Sequence, residues 1–227
     1  MKSSSEYSAA FRLQEEIVPL LALQEVFCFP QQVQLLNVFA ARHRKLISDV
    51  MQTDQLFVLH GIDALGMNTS NAVAPLCLVR IISSQRRADG GFLLLVEGLS
   101  RVILLEEMSN SNSYLSARIH IATDIAPVYT LVDREERRRE LLEISHLLYP
   151  QAIEGETVQD QYNSELTLGE TCDILAASIA KEIAGELLAE RKVDARSEIL
   201  LTFLRRLLIE KVSGNQPARH GLCFSLN

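Results

Sequence analysis

An α+β fold is predicted for this chain, with a strand-rich first part and a helical second part, and three observations predict it. The stretch from Leu93 to Leu105 holds two apolar runs around Gly98, rich in branched residues and each too short to span a membrane. Just before it, Asp89-Gly90 is a hairpin signal. Beyond residue 125 the apolar period changes from alternation to stripes at helical spacing. Gly98 predicts a bulge or a close backbone approach, with a positive φ as the expected reason for glycine. A covered strand pair bent at a glycine reads as the wall of a small barrel.

Residues 1–14 are polar and serine-rich and read as a flexible lead-in. From Ile17, the runs Val18–Leu23 and Val26–Pro30 are punctuated by Pro19 and Pro30, which suits extended edge segments and excludes a helix interior. Val33–Val38 is a further short strand. A helix is expected over roughly 40–53 with Leu46, Ile47 and Val50 on one side, then a strand from Gln55 to His60. The loop from Asp63 to Asn71 carries Leu65 and Met67 among polar residues, where no period accounts for them. Both are candidate partner-binding residues, because methionine suits adaptable surfaces. The plain alternative tucks them under the barrel mouth.

Leu76–Ile82 and Tyr114–Ile121 complete a count of about seven strands and one helix by residue 125. Asp133 with Glu136 reads as a helix start, and Leu141, Ile144 and Leu148 share a stripe that Pro150 ends. The acidic stretch 151–165 reads as a connection. Thr167-x-x-Glu170 fits a capping box, after which Leu175, Ile179, Ile183 and Leu187 form one stripe. Arg191–Asp194 is a joint, and Leu200, Phe203, Leu204, Leu207 and Leu208 form the last stripe. Residues 213–227 read as a flexible terminus. Within them Leu222, Phe224 and Leu226 alternate at strand period and are candidates for adding to a sheet edge.

Charge and motif content exclude several classes. A formal net charge of −7 argues against a general nucleic-acid binder. Arg137-Arg138-Arg139 sits among glutamates and reads as a solvated, locally paired helix face. No secretory leader and no spanning helix are legible, and the four scattered cysteines form no CxxC, so a reducing cytoplasm is expected. The five histidines show no metal-ligand spacing, so no metal and no cofactor are expected. Gly98-Leu99-Ser100 lacks the second glycine of a nucleophile elbow. On a straight strand Glu97 and Arg101 would share a face and could form a structural ion pair, unless a bulge intervenes.

Several segments resemble the Lon protease N-terminal domain family. Val18-Pro19-Leu20-Leu21-Ala22-Leu23 and Val26-Phe27-Cys28-Phe29-Pro30 are similar to its opening, which reads like LPLFPLRNVVLFPG. Asp89-Gly90-Gly91 and Leu95-Val96-Glu97-Gly98-Leu99-Ser100-Arg101 resemble its DG…VLVEGLQR signature, which marks Gly98 and Arg101 as structural signature residues. Tyr114-Leu115-Ser116-Ala117 resembles its PYLVAEV strand. Departures are Ala22 for a proline, Gln31 for the glycine after Phe-Pro, and Leu76 for the glycine opening a later strand.

The resemblance implies a PUA-like β pseudo-barrel over 15–125 followed by a C-terminal helical bundle over 130–212. It implies a stand-alone, ATP-independent binding module for unfolded or tagged protein segments or a partner protein. Oligomerisation is left open. No Gly-Lys pair occurs, so no phosphate loop is present, and none of the five lysines lies in a segment like the Lon serine–lysine site. The chain is therefore expected not to be an enzyme. Two alternatives stand beside this reading: an RNA-binding PUA-like protein and an unrecognised enzyme.

Overall fold

The computed structural model describes residues 15–62, 74–109, 113–125, 130–150 and 166–213. Its elements run β1 (Glu16–Gln24), β2 (Val33–Val38), α1 (Ala41–Val50), β3 (Leu56–Ile62), β4 (Leu76–Arg86), β5 (Phe92–Ser109) and β6 (Leu115–Ala122). There follow α2 (Leu131–Leu148), α3 (Leu168–Ile179), a 3-10 turn (Lys181–Ile183), α4 (Ala184–Ala189) and α5 (Val193–Val212). The architecture is mixed α+β. No helix among the described residues is long and apolar enough to cross a membrane.

The six strands are ordered β2-β5-β4-β3-β1-β6, and β6 pairs again with β5. Five strands thus form a closed circuit of pairings, from which β2 projects as an edge. β1 is parallel to β3, and the other pairs are antiparallel. Among the described residues six strands stand where about seven were expected. Val26–Phe29 is not a strand: it crosses the sheet and buries Cys28 and Phe29.

The stretch around Gly98 is one 18-residue strand rather than two. Register shifts leave Leu99 as an extra residue opposite β4 and Leu105 as another opposite β6. These two bulges bend β5 so that one strand serves both neighbours. The bulge expected here is present, but the positive φ is not: among described glycines only Gly90, in the β4–β5 turn, has one, at +80°. Glycine is needed at 98 because of close approach. A Cβ there would lie 2.0 Å from the Phe29 carbonyl oxygen and 3.0 Å from Cys28 Sγ. Gly98 N–H also donates to the Gln32 carbonyl at 2.8 Å, and Gln31 N–H donates to the Gly98 carbonyl at 2.8 Å.

Gln31, which stands where the family that the sequence resembles has a glycine, has φ +65°. A side chain in this left-handed region is strained by about 1–2 kcal/mol. Its amide donates to Glu170 Oε1 at 3.1 Å, across an exposed gap. Gln31→Gly is expected to raise unfolding free energy by about 0.5 kcal/mol, the relief exceeding the exposed bond and the added chain entropy. Urea denaturation checks this, and a lower midpoint would show that the Glu170 contact outweighs the strain.

One core cluster lies inside the strand circuit, built from Val18, Leu20, Val58, Leu78, Val102 and Ile119. The other covers the opposite sheet face and continues through α1 into the helices, from Leu21 and Phe57 to Leu141, Leu187 and Leu200. The expected stripes of α1 and α5 face the core: Leu46, Ile47 and Val50 in the first and Leu200, Phe203, Leu204 and Leu207 in the second are buried, while Leu208 is half-buried.

Three helical expectations change. The cap of α2 is Thr130, whose hydroxyl accepts from Asp133 N–H while Asp133 reaches back to Thr130 N–H. Asp133 is therefore the reciprocating third residue, not the start. The stripe from Leu175 to Leu187 is not one helix: it breaks at Ala180 (φ −113°), which is fully buried, so the chain turns to seat Leu187 and Leu188 in the core. The arginine triplet also reaches across helices. Arg137 pairs with Glu198, and Glu140 accepts from Arg205, while Arg138 pairs locally with Glu135. Lys211 donates to the carbonyls of Leu147 and Leu148. These ties run in the same order along both helices, so α2 and α5 are parallel.

Candidate functional site

Among the described residues β2 pairs with β5 alone, and no described strand lies along its other edge. The Gly98 N–H to Gln32 carbonyl bond sets the phase of the ladder. Antiparallel alternation then gives the backbone groups of Gln34, Leu36 and Val38 to β5 and turns those of Val33, Leu35 and Asn37 outward. The side chains of Leu36 and Val38 fill the core, while Val33 and Leu35 are 53% and 56% exposed.

Register extends this face across two further strands. Val33 stands beside Glu97 and Arg80, Leu35 beside Leu95, and Asn37 beside Leu93 and Gln85. Ile82 is the extra residue of a bulge in β4, so it and Ser83 together oppose Leu95. Ile82 is 49% exposed, and Leu93 and Leu95 are half-buried. An apolar patch therefore adjoins unpaired backbone donors and acceptors. One border is polar, where Arg80 Nη2 donates to Glu97 Oε2 at 2.5 Å. Such an edge can take an added extended strand: its backbone supplies affinity and its alternate side chains supply selection.

Arg101 lies elsewhere. The extra residue at Leu99 puts Glu97 on the open face and Arg101, opposite Cys77, on the helix-covered face. With the bulge present, the Glu97–Arg101 pair that a straight strand would allow does not form. Glu97 takes Arg80, and Arg101 makes a two-pronged pair with Asp173 of α3 at 2.8 and 2.6 Å. Its Nε also donates to the Leu188 carbonyl at 3.0 Å. Beside it Arg196, fully buried, holds Asp124 at 3.0 and 2.6 Å and the Glu190 carbonyl at 3.0 Å. Burial works against the Arg196 charge, but Asp124 and Asp173 outweigh it and hold its pKa above the ordinary value.

Two cations facing two carboxylates leave no surplus charge and join sheet, α3, α4 and α5 in one place. This is a structural lock. Gly98 belongs to the same frame, through the Phe29 and Gln32 contacts above. Asp124, Asp173 and Arg196 were not singled out from sequence, although an arginine on the apolar stripe of α5, four residues before Leu200, is a signal for a buried partner.

The remaining described thiols are packed rather than poised for chemistry. Burial pushes the Cys172 thiol up to about 12, and a hydrogen bond with Cys77, then burial, raises that of Cys28. Both are packed, unreactive thiols. Among the described residues no three His, Cys, Asp or Glu side chains gather as metal ligands. A shallow groove of about 350 Å³ runs between Ile183, Glu186, Ile199 and Phe203, with Arg206 stacked 5.2 Å over the Phe203 ring. Leu65, Met67, Leu222, Phe224 and Leu226 lie outside the described residues, as do the stretches 1–14, 151–165 and 214–227. Val33 and Leu35 were read as strand but not as site. Their signal was an edge strand, Val-Gln-Leu-Leu-Asn-Val, with apolar residues on both faces.

What this fold offers is a surface, and its class is a binding module. The chain belongs to the family described as the ATP-dependent protease La (LON) substrate-binding domain, whose model matches residues 17–206. Among solved structures it is similar to the N-terminal domain of Mycobacterium avium complex Lon protease. The match has 16% identity and a TM-score of 0.66, covering 84% of this chain and 98% of that one. It is also similar to a Lon N-terminal domain protein from Xanthomonas campestris, with 19% identity and a TM-score of 0.58, over 83% and 98% of the two chains. At such identities the likeness concerns the fold. No curated protein matches the chain.

Proposed function

We propose that this chain captures unfolded or tagged protein segments without ATP, the segment adding as an extended strand to the free edge of β2. The observation that carries this is the coincidence at Val33 and Leu35 of outward backbone groups and exposed apolar side chains, continued by Leu93, Leu95 and Ile82. Membership of a substrate-binding family supports a protein substrate. A module of this kind needs neither a phosphate loop nor a protease site of its own, and no cofactor.

Several finer readings belong to the same proposal. The strand circuit is a PUA-like pseudo-barrel over 15–125, and the helices over 130–212 form a bundle that braces it. The protein works in the cytoplasm. Leu65 and Met67, in the connection from β3 to β4, and Leu222, Phe224 and Leu226 in the tail are further apolar partner contacts. A net charge of −7 weighs against RNA as the general ligand.

Val33→Thr with Leu35→Thr keeps strand propensity while removing the apolar surface. With a labelled, carboxymethylated and therefore permanently unfolded protein as probe, anisotropy is expected to show roughly tenfold weaker binding, about 1.4 kcal/mol. The melting temperature should stay close to that of the parent. Unchanged affinity overturns the edge site. Loss instead on Leu65→Ser with Met67→Ser moves the site to the β3–β4 connection.

A further inference from the structure

The free edge of β2 is electrically one-sided. Past Val38 the chain reaches Phe39, 56% exposed, with the Arg87 guanidinium 5.6 Å from its ring centroid. Gly91 packs against the same ring: a Cβ there would lie 3.4 Å from Phe39 Cδ1. The neighbouring Gly90 comes so close to Arg44 that a Cβ would lie 2.8 Å from its Nη1. Arg44, Arg87 and Phe39 are thus contiguous at this end of β2. Arg42 and Lys45 lie on the same helix as Arg44, and Arg86 stands opposite Phe92, itself the partner of Val38.

Against these five cations stand two carboxylates. Asp49 is committed to Lys45 at 2.6 Å and to the Tyr114 hydroxyl at 3.0 Å. Asp89 sits 3.6 Å from Arg87, both largely in solvent. Among the described residues no carboxylate lies within ion-pair distance of Arg42, Arg44 or Arg86. His43 accepts from Arg42 Nε at 3.1 Å, and burial together with the Arg42 charge holds its pKa below the ordinary value. This corner is positive on a chain whose net charge is −7. At the Val33 end the charges are matched or acidic: Glu97 is paired with Arg80, and Glu170 takes the Gln31 amide.

We propose that the β2 edge selects extended segments whose apolar residues are flanked on one side by acidic residues, the acidic flank lying against Arg44, Arg87 and Phe39. This rests on the edge-capture reading above and names the substrate class of that same site. The spacing follows from strand geometry. Leu35 and Phe39 are four residues apart, about 13 Å at strand rise, so the acidic residues fall about four to six positions from the apolar centre of the bound segment. Charges placed there meet a guanidinium cluster in which Arg44 is half-buried and only Arg87 has a carboxylate beside it, the exposed Asp89, so they add affinity and also fix the direction in which the segment lies. Among the described residues, an acidic flank at the opposite end meets Arg80, already paired with Glu97, and the carboxylate of Glu170.

The test uses three labelled peptides with one apolar, β-branched centre: four glutamates on the N-terminal side, four on the C-terminal side, or serines on both. At low salt one glutamate peptide is expected to bind about tenfold tighter than the serine peptide, and the other about as well as the serine peptide. Arg44→Glu with Arg87→Glu, or Arg87→Glu alone as the milder variant, should erase that advantage and leave the serine peptide unchanged. Melting curves confirm that the variants are folded. Equal affinity of the two glutamate peptides, or an advantage that survives the charge reversals, overturns the proposal while leaving edge capture standing. Binding of no peptide overturns both. Tighter binding of a thymidine oligonucleotide of equal charge than of the favoured peptide also overturns it, since the corner would then be a nucleic-acid surface.

Discussion

Gly98→Val is expected to leave the protein largely unfolded at 37 °C. The new Cβ would stand 2.0 Å from the Phe29 carbonyl oxygen and 2.9 Å from its carbon, so backbone must move, and no rotamer relieves it. Displacing that loop breaks the Gln31–Gly98 and Gly98–Gln32 backbone bonds, each about 1 kcal/mol. It also lifts Phe29, which is 1% exposed, and Cys28 out of the core. Loss of that burial adds about 2–3 kcal/mol. The total, about 4–5 kcal/mol, is a large part of the 5–15 kcal/mol that holds a domain folded. Gly98→Ala should be nearly as damaging, because the collision is with Cβ itself. A urea midpoint for Gly98→Ala equal to that of the parent would refute the close-approach account.

Arg101→Met is expected to cost about 3–5 kcal/mol, because it strands a buried carboxylate. Asp173, 6% exposed, loses both prongs of its pair, and the Leu188 carbonyl loses its donor. Arg196 Nε, 3.3 Å from Asp173 Oδ1, compensates in part but is already aligned on Asp124. Arg101→Lys should recover little, since an ammonium cannot reproduce the planar fork. Combining Arg101→Met with Asp173→Leu removes the stranded charge and should be less destabilising than the two single changes added together. Denaturation of the four proteins measures the coupling. Strict additivity would show that the pair is not a unit.

The same two residues show how far sequence reached. Gly98 and Arg101 stood out as members of a signature, and the bulge between them was expected from glycine in a strand. Sequence could not say that glycine is required there by Phe29, nearly 70 positions earlier, rather than by its own φ. Nor could it pair Arg101 with Asp173 or Arg196 with Asp124, each 72 positions away. Bulges decide faces, and a single extra residue at Leu99 sends Glu97 and Arg101 to opposite sides of the sheet.

By itself the sequence determined what depends on near neighbours. Apolar spacing placed β2, α1, β6 and α5 to within a few residues. Asp89-Gly90 placed the hairpin, and Thr167 with Glu170 placed a helix cap that is present with both reciprocal bonds. Hydrogen bonds and periodicities spanning a few residues are encoded where they act. Tertiary structure alone decided which strand stayed at the edge, why the helical stripe broke at Ala180, and where the charges gathered. An edge is defined by the absence of a neighbour, and absence has no local signature. Val33 and Leu35 read as ordinary strand residues until the order β2-β5-β4-β3-β1-β6 left their outer side without a neighbour among the described strands. The basic corner likewise exists because the turn brings Gly90 against the guanidinium of Arg44, 46 positions away, which no local pattern announces.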